Sequence, residues 1–276
     1  MWIRKVDFPA ALIEAHRAGK LVIFVGAGAS RDAPSNLPDF LTLARSIADE
    51  AQVELADQHK AHLDVFLGRI SDRQFDVHRR VASHIGIPTS RPNRLHAALV
   101  DLAVAGGAVR IVTTNYDRHL SEALRGRDLV IDEYAGPALP MGDGFTGVVY
   151  LHGSLNQDAR RLVVTDSDFG RAYLRDAWAA RFLERMFSTY TVLFVGYSHG
   201  DVVMRYLARA LGPGASRYVL TSEPEAADWR SLGLRPIGYP VVDRSHAALA
   251  EAVEGWASLV SMTLFHPQAA WATRWF

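Results

Sequence analysis

The 276-residue sequence is 49% hydrophobic and 22% charged, ordinary values for a globular protein with enough chain to bury a sizeable core. Its 30 basic and 30 acidic residues cancel, which excludes a whole-chain field favouring nucleic acid or an anionic membrane surface. The absence of cysteine excludes disulfides, thiolate metal sites and cysteine nucleophiles. With no signal peptide and no membrane-length apolar run, we expect a cytoplasmic protein without membrane or direct nucleic-acid contacts.

The strand signals alternate with helical periodicity along the chain. After a short helix from about Pro9 to His16, the run Leu21 to Val25 has the continuous apolar character of a buried parallel strand. Further strands are predicted at 109–113, 148–151, 192–195 and 217–220, and further helices at 95–104, 178–187, 202–211 and 247–260. This alternation predicts an α/β fold, a three-layer Rossmann-like parallel sheet with helices on both faces, formed as a single domain over residues 1–276.

The first strand leads into Gly26-Ala27-Gly28-Ala29-Ser30. Glycines at this point allow close approach of a dinucleotide phosphate, and the following amides can face the anion. A tight turn without a ligand is the alternative. Arg31 stands where a dehydrogenase would have its third glycine, so the pattern favours dinucleotide binding without hydride transfer.

A stretch without a strand signal, about 40–92, interrupts the alternation. It is predicted to contain two or three helices inserted after the first strand, with Gly68 and Gly86 as breaks. At the other end, 261–276 is rich in aromatic residues. This tail either docks on its own domain or leads to a partner, another subunit or a further domain.

Polar residues follow three more predicted strands, where the ligand crevice of an open parallel sheet lies. They are Thr113-Thr114-Asn115-Tyr116-Asp117, His152-Gly153-Ser154 and Gly196-Tyr197-Ser198, and a fourth strand runs into Thr221-Ser222-Glu223. We therefore expect these groups to converge at one edge of the sheet.

In this order the segments resemble the sirtuin family, whose NAD site is built from a GAGxS loop, a PDF segment, a TxNxD turn, an HG dipeptide and a GxS turn. Pro38-Asp39-Phe40 supplies the second of these. Sirtuin deacetylases also have a four-cysteine zinc module and usually an Arg after PDF, whereas this chain has no cysteine and has Leu41 there. Val163 to Phe169, followed by Tyr173, resembles the zinc-free sirtuin-like domains of bacterial antiphage defence, which degrade NAD.

The resemblance implies catalytic roles for Asn115 and His152. His152 would take a proton from a ribose hydroxyl or from water, since an imidazole can accept a proton near neutrality. Asn115 would hold a water or a ribose hydroxyl beside the anomeric carbon. The alternatives are a hydrogen-bonded core histidine and an Asn that caps a turn.

The remaining candidates are assigned to NAD binding by the same resemblance. Asp39 is placed near the nicotinamide amide or caps a helix, and Asp117 either steadies its turn, hydrogen-bonds ribose or caps a helix. Ser30 and Ser198 are expected to meet phosphate or ribose, or to act as caps. The full set is Gly26, Ala27, Gly28, Ser30, Asp39, Thr113, Asp117, Gly196, Ser198 and Ser222, with no metal ligand among them.

The sequence thus predicts an NAD glycohydrolase that uses NAD as substrate, needs no metal and acts as a regulated effector of antiphage defence by depleting NAD. A homo-oligomer, or a defence-system partner protein or domain, is implied as the means of control. Two alternatives remain: a protein deacylase or ADP-ribosyltransferase, and a non-catalytic sensor of NAD or ADP-ribose.

Overall fold

The computed structural model describes residues 1–198, 216–224, 227–243 and 245–265. The helix predicted at 202–211 and residues 266–276 of the aromatic tail lie outside the described residues.

The core of the fold is a seven-stranded sheet in which every neighbouring pair is parallel. Two short strands form a separate antiparallel pair, β1 (Trp2–Ile3) and β2 (Val6–Asp7). The sheet strands are β3 (Leu21–Val25), β4 (Arg110–Thr113), β5 (Glu133–Ala135), β6 (Gly147–Tyr150), β7 (Thr191–Val195), β8 (Arg217–Thr221) and β9 (Arg235–Gly238).

The strand order is β5-β6-β4-β3-β7-β8-β9, so β4, β5 and β6 lie on one side of β3 and β7, β8 and β9 lie on the other. The loops that leave β3 and its two neighbours, β4 and β7, therefore diverge at a topological switch point. In open parallel sheets such a point forms the ligand crevice. Of the segments predicted to converge, those that begin at Gly26, Thr113 and Gly196 follow β3, β4 and β7, and the His152 segment follows β6 beside β4.

Helices cover both faces of the sheet, which confirms the predicted fold class. Their bounds are α1 (Ala10–Arg17), α2 (Phe40–Glu50), α3 (Leu63–Ser71), α4 (Val77–Ile85), α5 (Arg94–Ala105), α6 (His119–Arg125), α7 (Asp166–Gly170), α8 (Trp178–Thr189), α9 (Ala227–Ser231) and α10 (Ala247–Phe265). A π-helical turn, Arg171–Arg175, continues α7.

The alternation of side chains along the strands divides the core in two. On β3, Val22 and Phe24 pack with α2, α3, α4, α7 and α8, whereas Leu21, Ile23 and Val25 pack with α1, α5, α6 and α10. Because all five residues of β3 are buried, burial on both faces explains the continuous apolar run in the sequence.

The helical stretch after β3 splits between the two faces. Helices α2, α3 and α4 lie on one face, and α5, which follows the insertion, crosses to the other before β4 begins. Asp39 caps α2 by accepting a hydrogen bond from the backbone of Thr42, and Asp76 caps α4 in the same way. Side chains of α2 and α4 reach the edge of the sheet where the polar segments meet.

The sequence patterns missed two strands of the sheet, both at its edges. The strand β5 has only three residues and is followed by a Gly-Pro pair, and β9 contains Pro236. Short edge strands tolerate proline and need no apolar run, because only one side of the backbone is paired. Among the described residues, no helix is both long and apolar enough to cross a membrane.

Candidate functional site

A pocket opens at the carboxyl ends of β3, β4 and β6, with an empty volume of about 680 Å³ that includes its mouth. Two of its walls come from the helical insertion and from the segment that follows His152. The lining residues are Ala27, Ser30, Leu37, Pro38, Phe40, Leu43, Ile85, Thr114, Asn115, Tyr116, Asp117, His152, Phe169 and Tyr197.

Both predicted catalytic residues line this pocket. Asn115 follows β4 and is held by its own turn, since its backbone amide donates to Thr113 Oγ1 at 3.0 Å. Its side-chain nitrogen donates to the carbonyl of Gly26 at 3.2 Å and to Ser30 Oγ at 3.3 Å. Among the described residues Asn115 Oδ1 has no hydrogen-bond partner, so this oxygen is the acceptor that Asn115 can offer to a ligand.

Ser30 is the centre of a buried hydrogen-bond network beneath the pocket. Its hydroxyl donates to Asp117 Oδ2 at 2.9 Å and lies 3.1 Å from His96 Nε2. The other oxygen of Asp117 accepts from the backbone amide of His119 at 3.1 Å. Asp117 therefore steadies its own turn and ties it to the loop after β3.

His96 is a member of this network that the sequence analysis did not single out. Its Nδ1 accepts from the backbone amide of Asn93 at 3.2 Å, which leaves the proton on Nε2, where it is donated to Ser30. Burial lowers the pKa of His96 to about 4, so the ring is neutral near pH 7. The Asn93-x-x-His96 spacing is that of a capping box at the start of α5, and it was the signal available in the sequence.

His152 is buried at the end of β6, with 1% of its surface exposed. Its Nε2 is 2.8 Å from the hydroxyl of Tyr173, and burial lowers the pKa of His152 to about 3. The imidazole is therefore neutral at physiological pH. The sequence analysis noted Tyr173 only as part of a resembling segment and gave it no role.

The glycines of the first loop are explained by contact with the turn after β7. A Cβ on Gly26 would lie 2.7 Å from the carbonyl oxygen of Gly196 and from the ring of Tyr197, and one on Gly28 would lie 2.9 Å from the same oxygen. Gly196 itself has φ +77°. Protein packing alone thus requires small residues here.

The amides of this loop are also used within the protein. Gly26 N donates to Val195 O at 2.9 Å, Gly28 N to Gly196 O at 2.9 Å and Ala29 N to Gly26 O at 3.1 Å. The backbone amides of Gly26, Gly28 and Ala29 are therefore not free to bind a phosphate in this structure.

Asp39 adopts the capping geometry that the sequence analysis left as one of its two alternatives. Its carboxylate accepts from Thr42 N at 2.8 Å and lies 3.4 Å from the guanidinium of Arg31. Its neighbours Pro38 and Phe40, and not Asp39 itself, line the pocket.

Four other predicted binding residues, Thr113, Gly196, Ser198 and Ser222, are not among the described residues that line the pocket. Thr113 donates through Oγ1 to Val25 O at 2.9 Å and so joins β4 to β3. Ser198 and Ser222 are exposed after β7 and β8, and neither they nor Gly196 line the pocket. Ser222 bonds to the side chain of Tyr239.

Asp117 is the only charged residue among the described residues that line the pocket. A cavity with apolar walls and one carboxylate disfavours phosphate and favours a cation or a neutral ring. Among the described residues no group of three or more His, Asp or Glu is placed to hold a metal ion.

Comparison with protein families matches residues 109–237 to the family described as the SIR2-like domain. The matched range begins just before β4 and ends in β9. It contains Asn115, His152 and Tyr173, and it excludes the loop after β3.

A relative, the uncharacterised protein y4cA of Sinorhizobium fredii (strain NBRC 101917 / NGR234), is 31% identical over 287 residues. The similarity covers 92% of this chain, and the chain spans 24% of the length of that relative.

Solved Sir2 structures are among the proteins to which this chain is similar. One, from work on the structural basis for the mechanism and regulation of Sir2 enzymes, has a TM-score of 0.48 at 16% identity, over 94% of this chain and 100% of that chain. Another, a Sir2 homolog–NAD complex, has a TM-score of 0.48 at 17% identity, over 94% of this chain and 96% of that chain.

Proposed function

We propose that this chain, whose residues 109–237 match the SIR2-like domain, hydrolyses NAD to nicotinamide and ADP-ribose. One observation carries the proposal: Asn115 and His152, on the ends of neighbouring strands, line the same pocket. The match and the resemblance of the strand-end motifs to the sirtuin NAD site supply the identity of the substrate.

The pocket suits the nicotinamide-ribose end of NAD. Its apolar walls, which include Phe40 and Phe169, offer surface to a planar ring, and Asn115 Oδ1 offers an acceptor to a hydroxyl or a water. The carboxylate of Asp117 gives the cavity a negative charge close to where the substrate carries positive charge. The absence of Lys and Arg from the described lining residues would place the phosphates outside this cavity.

In the proposed reaction, the bond between the anomeric carbon and the nicotinamide nitrogen breaks, and the nitrogen keeps the electron pair. Asn115 Oδ1 holds the attacking water, whose oxygen forms the new bond to carbon. A ring nitrogen of His152 takes the proton of that water and later releases it to solvent. One NAD and one water yield nicotinamide, ADP-ribose and one proton.

The rest of NAD is assigned to the loops around the pocket. Residues of the loop after β3 and of the turn after β7 pack against each other, and Ala27 and Tyr197 from these two segments line the pocket. We assign the binding of NAD to Gly26, Ala27, Gly28, Ser30, Asp39, Thr113, Asp117, Gly196, Ser198 and Ser222, with Asp39 on the side of the nicotinamide amide and Asp117 on the side of the ribose.

The biological role that we propose is a regulated effector of antiphage defence, which depletes NAD once it is activated. Such an enzyme must be silent before the trigger, so control by self-assembly or by a partner protein or domain is part of the proposal. The resemblance to zinc-free bacterial defence domains supports this role.

A second candidate, a non-catalytic sensor of NAD or ADP-ribose, is favoured by one feature. Because burial lowers the pKa of His152 to about 3, this imidazole is a weak base in the ligand-free pocket. A sensor would bind NAD and release no nicotinamide.

The deciding experiment is incubation of the protein with NAD and identification of the products by liquid chromatography and mass spectrometry. The full chain is tested alone, at concentrations that drive self-association and with candidate partners. We expect equal amounts of nicotinamide and ADP-ribose. Nicotinamide with ADP-ribosylated protein would instead identify a transferase, deacylation of an acyl-lysine peptide would identify a deacylase, and NAD binding without turnover would identify a sensor.

A further inference from the structure

The surroundings of His152 contain a hydroxyl that the proposed reaction has not yet used. Tyr173 is buried, and its oxygen lies 2.8 Å from Nε2 of His152. Tyr173 is not among the described residues that line the pocket, whereas His152 is.

Aromatic rings hold the imidazole in one orientation. The ring of Phe169 meets His152 edge-on at a centroid distance of 5.2 Å, and that of Tyr173 does so at 5.9 Å. Phe169 and Tyr173 stack on each other at 5.9 Å, since they lie four residues apart where α7 continues into the π-helical turn. The imidazole plane is therefore fixed relative to the hydroxyl.

The two ring nitrogens of His152 have different surroundings. Tyr173 occupies Nε2, whereas among the described residues Nδ1 has no hydrogen-bond partner. His152 lines the pocket, so Nδ1 is the nitrogen left for a ligand. A neutral imidazole has one donor and one acceptor nitrogen, and a base at Nδ1 requires the proton on Nε2.

We propose that Tyr173 is a positioning residue that accepts the Nε2 proton of His152 in a hydrogen bond and so keeps Nδ1 as the free base facing the pocket. The assignment of Nδ1 as a base rests on the proposed function, whereas the tautomer is a property of the protein itself. When Nδ1 takes the proton of the attacking water, the ring becomes an imidazolium, and the oxygen of Tyr173 stabilises the Nε2–H of that cation. An orienting partner on the far nitrogen serves the same purpose in the Ser-His-Asp triad.

The tautomer of His152 can be measured without turnover. Long-range ¹H–¹⁵N spectra of the ¹⁵N-labelled full chain distinguish protonated from unprotonated ring nitrogens, and His152→Ala identifies the signals. We expect Nε2 protonated and Nδ1 unprotonated in the wild-type protein. A proton on Nδ1 overturns the proposal, and this result needs no variant of Tyr173.

Tyr173→Phe removes the hydroxyl and keeps the ring that stacks on Phe169. We expect the tautomer of His152 to become mixed and kcat for nicotinamide release to fall about 10- to 100-fold, with KM for NAD changed less than about twofold. Tyr134→Phe is the matched control, because the hydroxyl of Tyr134 lies at the surface, 3.4 Å from Asp132. We expect wild-type kcat and an unchanged His152 spectrum in that variant.

A folded Tyr173→Phe protein with wild-type kcat, or with a change in KM alone, overturns the positioning role. If the wild-type chain never hydrolyses NAD, the proposed function fails. The spectra of the wild-type and Tyr173→Phe proteins still decide the tautomer in that case, so the two failures are distinguishable.

Discussion

The amide of Gly28 donates a 2.9 Å hydrogen bond to the carbonyl oxygen of Gly196, and a Cβ on Gly28 would lie 2.9 Å from that same oxygen. Two loops that are far apart in the chain therefore meet backbone to backbone between β3 and β7, at the switch point of the sheet. Glycine at position 28 is required by the protein's own packing before any ligand is considered.

Gly28→Ala should lower the free energy of unfolding by roughly 1–3 kcal/mol, because the methyl group forces the two backbones apart. Urea unfolding followed by circular dichroism measures the change. Gly144→Ala is the control, since a Cβ there meets nothing within 4 Å and its free energy of unfolding should change by less than about 0.5 kcal/mol. Equal stability of Gly28→Ala and the wild type would refute the packing explanation.

NAD binding by Gly28→Val and Gly28→Ala is a separate test. Weaker binding identifies a phosphate contact only if the variant is as stable as the wild type.

His152→Ala and Asn115→Ala should each fold, retain measurable NAD affinity and lose hydrolysis by at least roughly 100-fold, the low end for acid–base groups. If both act on one transition state, the double variant should be little worse than either single variant. Nicotinamide release under activating conditions measures the effect, with circular dichroism as the folding test. The control is the exposed His62→Ala, which should keep wild-type turnover. Near-normal turnover by either folded single variant removes that residue from the mechanism.

Ser30→Ala should lower both stability and turnover. The hydroxyl is shared by Asn115, His96 and Asp117, so its loss leaves a buried carboxylate oxygen without its donor and removes one of the two acceptors of the Asn115 side-chain nitrogen. We expect a loss of about 1–3 kcal/mol in the free energy of unfolding and a kcat at least roughly tenfold lower.

Ser46→Ala serves as the control for Ser30→Ala, because the exposed hydroxyl of Ser46 bonds to the carbonyl of Thr42 in its own helix. Its stability and kcat should stay near those of the wild type. If Ser30→Ala behaves like Ser46→Ala, the network does not position Asn115.

Three buried histidines should make the protein unstable in acid. Burial lowers the pKa of His16 and of His96 to about 4 and that of His152 to about 3, while each titrates near 6.5 in the unfolded chain. As the pH falls below 6.5, the unfolded state binds protons that the native state does not, so stability is lost. The slope approaches about 1.4 kcal/mol per pH unit for each histidine, or about 4 for the three.

Urea titrations at pH 7.5, 6.5, 5.5 and 5.0 measure this slope. His16→Gln removes one titrating group and keeps a donor for the carbonyl of Leu102, which His16 Nε2 contacts at 2.8 Å. Its slope should be about one third shallower than that of the wild type. A free energy of unfolding that stays constant from pH 7.5 to 5.0 would contradict the burial of these imidazoles in their neutral form.

Hydrolysis of NAD should survive exhaustive chelation. The prediction rests on the complete absence of cysteine and the scattered histidines of the sequence. Nicotinamide release is compared before and after dialysis against EDTA and a zinc-selective chelator. Activity that is lost in chelator and restored by zinc would show that the reaction needs a metal.

The strands buried on both faces could be located from the sequence alone. The strand Leu21–Val25 matches its predicted bounds, and the strands around Val112, Val149 and Phe194 were found to within a residue or two at each end. Such strands have an apolar side chain at nearly every position, a signal that is local in the chain. The convergence of Asn115 and His152 on one pocket also followed from local motifs, because the carboxyl ends of neighbouring parallel strands share one edge of the sheet.

Only the tertiary structure decided which polar groups bond to one another. The network of Ser30 and His96 joins residues 66 positions apart, and the Tyr173–His152 pair joins a π-helical turn to a strand end. Periodicity and capping patterns describe neighbours along the chain, so they carry no information about such pairs. The reason for the glycines at 26 and 28 likewise could not be read from the sequence. It is the close approach of Gly196, which is remote in the chain but follows β7, the strand paired with β3.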